Sequence, residues 1–205
     1  DEQGRYAYFN QPGITKWNLS RFAECLVPLI DNNKDKAIKI ATETINDFSE
    51  IYKKNWLQMM RNKLGLLEED AKDESLIIDL LTWMHQNKAD YTNTFCVLMN
   101  ENIKEDKIYK DKSFLGWKEQ WQERLKPHNN SPEKSLKLMR SANPLVIPRN
   151  HKVEEALEAA NNDDLNPIKN LLKVLEKPYE NQEGISEYQS PAPANNKKYQ
   201  TFCGT

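Results

Sequence analysis

The chain has 205 residues, 29% of them charged, with a formal net charge of −2. That balance argues against a nucleic-acid footprint, which needs clustered excess Lys and Arg, and no apolar run approaches the ~20 residues of a membrane-spanning helix. The length suits one sizeable domain, alone or with a small appendage. Cys25, Cys96 and Cys203 show no paired spacing, and an odd count suits a reducing compartment or a regulatory thiol better than a disulfide scaffold. No secretory signal is visible, although the first residue is Asp, so a leader removed by processing stays open.

From Gly4 to Ile30 the chain packs Tyr6, Tyr8, Phe9 and Trp17 around the turn signal Asn10-Gln11-Pro12-Gly13. Ile14, Trp17, Phe22, Leu26 and Leu29 then give one apolar helix face, and Asp31-Asn32-Asn33 after Pro28 stops it. So aromatic a segment should be buried, whereas a free N-terminus is usually loose. If its packing partners lie outside this sequence, the chain should expose an apolar patch or self-associate.

A long amphipathic helix follows, carrying Ala37, Ile40, Ala41, Ile45, Phe48, Ile51, Tyr52, Met59, Met60 and Leu64, with Gly65 as its C-terminal cap. Leu76, Ile77, Leu80, Leu81 and Met84 predict a third helix, opened by acidic residues that suit its positive end. A fourth runs from about Asp90, its N-cap, to Ile103. Phe114, Trp117, Trp121 and Leu125 make a fifth, broken at Pro127-His128-Asn129-Asn130. Ser131-Pro132-Glu133 reads as an N-cap with proline at the first helical position of a sixth helix, whose Leu136 and Met139 face inward.

Leu145 to Pro148 is a short extended connector. Val153, Ala156, Leu157 and Ala160 mark a seventh helix, and Asn166-Pro167 opens an eighth with Ile168, Leu171, Leu172 and Leu175. No run alternates with period two, so the fold class is mainly α. From Pro178 onward Pro191, Pro193 and scattered Tyr and Asn suit an extended arm, which Tyr179, Tyr188, Tyr199 and Phe202 could pin to the body. The organisation expected is a helical domain over residues 1–177 and an extended tail over residues 178–205.

Few constellations suggest chemistry. Asp31, Asn33 and Asp35 begin like a calcium loop, but Lys36 stands where Gly is needed and Thr42 where Glu is needed, so a cap between two helices is the better reading. His85, His128 and His151 lie far apart without metal-ligand spacing, and His151 in Pro148-Arg149-Asn150-His151 suits a helix start. There is no Gly-rich phosphate loop. Arg5 and Arg149 could grip a phosphate or carboxylate, though tying a loop to the core is the plainer role. The five tryptophans read as core. Cys25 and Cys96 fall in apolar helical patterns, where buried inert thiols are the default. Cys203 stands apart, three residues from the end beside Phe202 and Gly204.

GRYAYFNQPGITKWNLSRFAE from Gly4, Asn143-Pro144, IPRNHKVEEALEAANNDD from Ile147, LLKVLEKPYE from Leu171 and the terminal Cys203-Gly204-Thr205 together resemble the selenoprotein O family, the YdiU-like proteins. The resemblance covers the whole chain, although from about Lys34 to Lys137 it is only a helical pattern. It implies a protein-kinase-like fold of pseudokinase type, of which this chain is the bundle-like helical remainder of the large lobe. It also implies an adenylyltransferase that binds ATP with Mg2+ or Mn2+ and moves AMP to Ser, Thr or Tyr hydroxyls of proteins, with pyrophosphate leaving. The family's glycine loop, lysine, phosphate-binding arginines and metal-binding carboxylate precede the GRYAY motif, so no catalytic, cofactor-binding or metal-binding residue is transferred to this chain.

The partners so implied are the missing N-terminal kinase-like region of the same protein and its protein substrates, with neither nucleic acid nor membrane. The location implied is cytoplasmic for a bacterial protein and mitochondrial for a eukaryotic one. Cys203 takes the place of the family's terminal Cys or selenocysteine, and the resemblance implies a redox-regulatory role through a disulfide to a cysteine upstream of GRYAY. The competing reading is a stand-alone helical protein-interaction module without catalysis.

Overall fold

A computed structural model describes residue 4 and residues 7–99, 107–126 and 132–192. Among these the regular structure is helical, with no strand. The helices are α1 (Gln11–Ile30), α2 (Lys34–Leu64), α3 (Asp73–Asn87), α4 (Tyr91–Leu98), α5 (Lys112–Leu125), α6 (Pro132–Ala142), α7 (Asn150–Asn161), α8 (Asn166–Leu175) and α9 (Ser186–Gln189). Two compact units form, one reaching Gln58 and the other starting at Met59, where the sequence suggests a single helical domain to residue 177. The 31-residue α2 begins in the first unit and ends in the second.

The first unit contains little core. A 3-10 turn at Tyr8–Asn10 leads into α1, which buries none of its residues. Phe9 is 91% exposed, Leu29 82% and Phe22 61%, which is the exposed apolar patch expected for an aromatic segment lacking partners. Cys25 is exposed, which corrects its reading as a buried thiol. Its apolar neighbours on α1 made the position look internal, but Phe22 and Leu29 on the same face are themselves exposed. Between α1 and α2, Asp31 accepts from the Asn33 amide at 2.9 Å and pairs with Lys36 at 2.6 Å, while Asn33 caps α2 by accepting from the Lys36 amide at 3.1 Å. This is the cap expected in place of a calcium loop. The Lys36 ammonium, then the Asn33 amide, hold the Asp31 carboxyl below the usual carboxylate range.

The second unit is built on buried side chains at helical spacing. Leu76, Ile77, Leu80, Trp83 and Met84 make the inner face of α3. Phe114, Trp117 and Trp121 make that of α5, which packs against α3. The rings of Trp83, Tyr109, Phe114, Trp117 and Trp121 form one run of aromatic contacts. Two indoles also satisfy carbonyls: Trp117 Nε1 donates to Leu76 O at 2.8 Å, and Trp121 Nε1 to Leu64 O at 2.9 Å. Buried tryptophan N–H groups need such acceptors. The reading of the tryptophans as core therefore holds for Trp83, Trp117 and Trp121, while Trp17 is about half exposed.

Helix ends follow local chemistry. At the end of α2, Leu66 N donates to Arg61 O at 2.9 Å and Gly65 N to Asn62 O at 3.2 Å, the bond pair of a Schellman motif. Gly65 has φ +71°, and a Cβ there would stand 3.0 Å from Ser135 O and from Met139 Cγ. Backbone sign and space both require glycine. Asp90 caps α4 as expected, accepting from Asn93 N at 2.8 Å, but α4 ends at Leu98 rather than near Ile103, which lies outside the described residues.

Beyond Pro178 the described chain is not an arm standing free. It carries the four-residue α9 and buries Ile185 and Gln189. Gln189 Nε2 donates to Leu145 O at 3.1 Å, Asn93 Nδ2 donates to Gln189 O at 3.1 Å, and Leu145 N donates to Pro178 O at 2.7 Å. One side-chain amide and one buried isoleucine anchor a segment whose composition alone reads as extended.

Candidate functional site

Three polar nodes stand out in the second unit. At the first, Arg149 precedes α7 and reaches Asp90, with Nη1 to Oδ2 at 2.7 Å and Nη2 to Oδ1 at 3.1 Å. Its Nη2 also donates to Asn93 Oδ1 at 3.2 Å. Its Nε is buried without a hydrogen-bond partner among the described residues. The guanidinium is thus spent on the cap of α4 and on the residue that holds α9. Tying a loop to the core is its role here, and it leaves no free fork for a phosphate. His151 sits in the first turn of α7, the helix start expected of it.

At the second node, Lys63 Nζ donates to Ala142 O at 3.0 Å and to Asn143 Oδ1 at 3.2 Å, and lies 5.0 Å over the Phe95 ring. Burial, only partly opposed by the nearby Cys96 thiol, holds this ammonium below the ordinary lysine range. Asn143 is almost fully buried and donates to Lys63 O at 2.8 Å and Met139 O at 2.9 Å. It locks the end of α2 to the end of α6. Cys96 is buried with Sγ 3.6 Å from Pro144 O, the inert environment expected for it. The third node is the buried carboxylate of Asp73 between Arg61 and Arg124.

A shallow depression of about 510 Å³ opens beside Leu81, Met84, His85, Lys88, Ala89 and Tyr91. It offers an imidazole and an ammonium over an apolar floor, but no nucleophile–base pair. Among the described residues no three His, Cys, Asp or Glu side chains come together as metal ligands. The donor set that ATP and a divalent ion require is not found there, so no step is assigned to either. No described helix is long and apolar enough to cross a membrane. Arg5, His128 and Cys203 lie outside the described residues.

What the geometry does not decide, likeness does. Residues 1–176 match the family described as protein adenylyltransferase SelO. The chain belongs to that family. It is 56% identical over all its 205 residues to a protein nucleotidyltransferase YdiU of Pelagibacter ubique, and 47% identical over 206 aligned residues to that of Alcanivorax borkumensis. The YdiU of Clostridium beijerinckii is 44% identical over 205 residues. Each match takes in 100% of this chain but only 42–43% of the relative, in its C-terminal part. The chain thus spans about two-fifths of the length of these curated relatives.

Asn143 and Arg149 take their physical meaning from the hydrogen bonds they make. Both are joints of the helical scaffold. Neither is marked by its local sequence, since Asn143 follows Arg140 and Ser141 and Arg149 is followed by Asn150, His151 and Lys152; the partners lie far along the chain.

Proposed function

We propose that this chain is the C-terminal helical part of a kinase-like protein adenylyltransferase, which moves AMP from ATP to Ser, Thr or Tyr hydroxyls of other proteins with Mg2+ or Mn2+. The single observation that carries this reading is the match of residues 1–176 to the SelO family, continued over the whole chain by the YdiU relatives. The nucleotide and the ion would be held by the preceding part of the polypeptide, and this chain would contribute scaffold and a regulatory thiol at Cys203. Bound there, the ion would offset phosphate charge as the hydroxyl displaces pyrophosphate.

Calorimetric titration of this chain alone with ATP and magnesium is expected to give no binding, and the full-length protein is expected to bind one nucleotide. Tight one-to-one binding by the 205-residue chain would place a nucleotide site within it and overturn this division of labour. For the thiol, Cys203→Ala in the full-length protein is expected to make AMP transfer insensitive to added reductant. A variant that responds to reductant as the parent does ends the regulatory role.

A further inference from the structure

Phe22, Cys25 and Leu29 recur at three and four residues along α1 and therefore share one face of the helix. All three are exposed, with Phe22 and Leu29 well over half open. Leu19 and Leu26, half-buried, border the same face. One turn before α1, Tyr8 and Phe9 project almost fully into solvent, at 86% and 91% exposure. Folded monomers seldom leave large apolar groups gathered this way unless something binds them.

A membrane surface fits poorly, because the polar residues that flank this face include the neutralising pair Arg21–Glu24 rather than a run of cations. A segment of the same polypeptide is a better cover. This chain aligns along its whole length with relatives more than half of whose sequence precedes the matched part. We propose that the α1 face centred on Cys25, together with Phe9, is the seat of that preceding part of the polypeptide. The thiol is then sealed inside an interface between the two halves of one protein. The inference rests on the family reading above, but it concerns packing rather than AMP transfer. It also accounts for a cysteine that the sequence pattern places inside and the structure leaves open.

The test is the alkylation rate of Cys25, followed by peptide mass mapping in the full-length protein. Cys25 is expected to react on the order of a hundredfold more slowly than an open thiol, because labelling must wait for local separation of the halves. Phe22→Asp with Leu29→Asp is expected to bring the rate back toward that of an open thiol. Both side chains are solvent-exposed here, so the substitutions leave the helices described above intact, which circular dichroism verifies. Fast labelling of Cys25 in the unsubstituted full-length protein overturns the proposal without needing any variant. Protection that fades on dilution also overturns it, by assigning the face to a second copy. Protection without AMP transfer would sink the proposed function and leave this interface standing.

Discussion

Asp73→Ala is expected to remove roughly 3–5 kcal/mol of stability, the range for breaking a buried ion pair from one side. Asp73 is fully buried in the first turn of α3. Its Oδ2 accepts from Arg61 Nε at 2.8 Å and from the Asp70 amide at 2.9 Å, and its Oδ1 accepts from Arg124 Nε at 2.8 Å. One carboxylate therefore joins the end of α2, the start of α3 and the end of α5. Without it Arg61 and Arg124 lose the carboxylate between them, and the exposed Glu69, 3.1 Å from Arg61, is left as a neighbouring countercharge. In a chain of this size the loss corresponds to roughly 10 °C in midpoint.

The same residue sets part of the acid response. Burial alone would raise its pKa, but the Arg124 side chain, the Asp70 amide and Arg61 together outweigh burial and hold it below the usual range. A depressed carboxylate stabilises fully above its unfolded value of about 3.9, and that contribution fades as pH falls through the lower folded value. Stability should therefore drop below about pH 4 in the parent, and drop less steeply in Asp73→Asn. Urea unfolding at neutral pH and through the acid range measures both effects. A loss under about 1 kcal/mol in Asp73→Ala would show that the two arginines re-pair elsewhere at little cost.

Phe114→Ala is expected to cost a similar amount, roughly 3–5 kcal/mol, from lost transfer energy plus the cavity left behind. Phe114 is 1% exposed. Its ring centroid lies 4.5 Å from that of Trp83, 5.4 Å from Tyr109 and 5.9 Å from Trp117. Each such pair adds about 0.5–1.5 kcal/mol beyond area burial. Near-ultraviolet dichroism should weaken along with the urea midpoint, because Trp83 and Trp117 lose the ring that fixes them. A variant within about 1.5 kcal/mol of the parent would mean that the surrounding helices close over the gap.

Much of the helical layout was legible in the sequence because amphipathic periodicity is local. The spacing of Leu76, Ile77, Leu80 and Met84 marks α3, and all four side chains are buried. Gly65 could be read as a helix stop, since a positive φ just after a helix favours glycine. The equivalent position after α3 is Lys88, at φ 52°, held by Ala89 N donating to Met84 O at 2.9 Å. Residue type did not announce that cap, because tertiary packing can hold a non-glycine residue in the left-handed region. The cap of α5 was missed as well. Asp111 accepts from the amides of Ser113 and Phe114 and from Trp83 Nε1, and the last of these lies 28 residues away.

The family was legible because several of its motifs survive as short contiguous strings. The polar joints were not. Asp73 meets Arg124 across 51 positions, and Asn143 meets Lys63 across 80. Nothing in a local pattern states which charge will find which partner. Cys25 marks the boundary between the two kinds of knowledge. Its place in an apolar helical pattern is a property of sequence and identifies a face that wants cover. Whether the cover lies within these 205 residues depends on how much apolar surface the neighbouring helices can supply, and in the described structure they leave Phe22 61% and Leu29 82% exposed. Periodicity records that a face is apolar; only the arrangement of the chain in space decides what, if anything, is close enough to bury it.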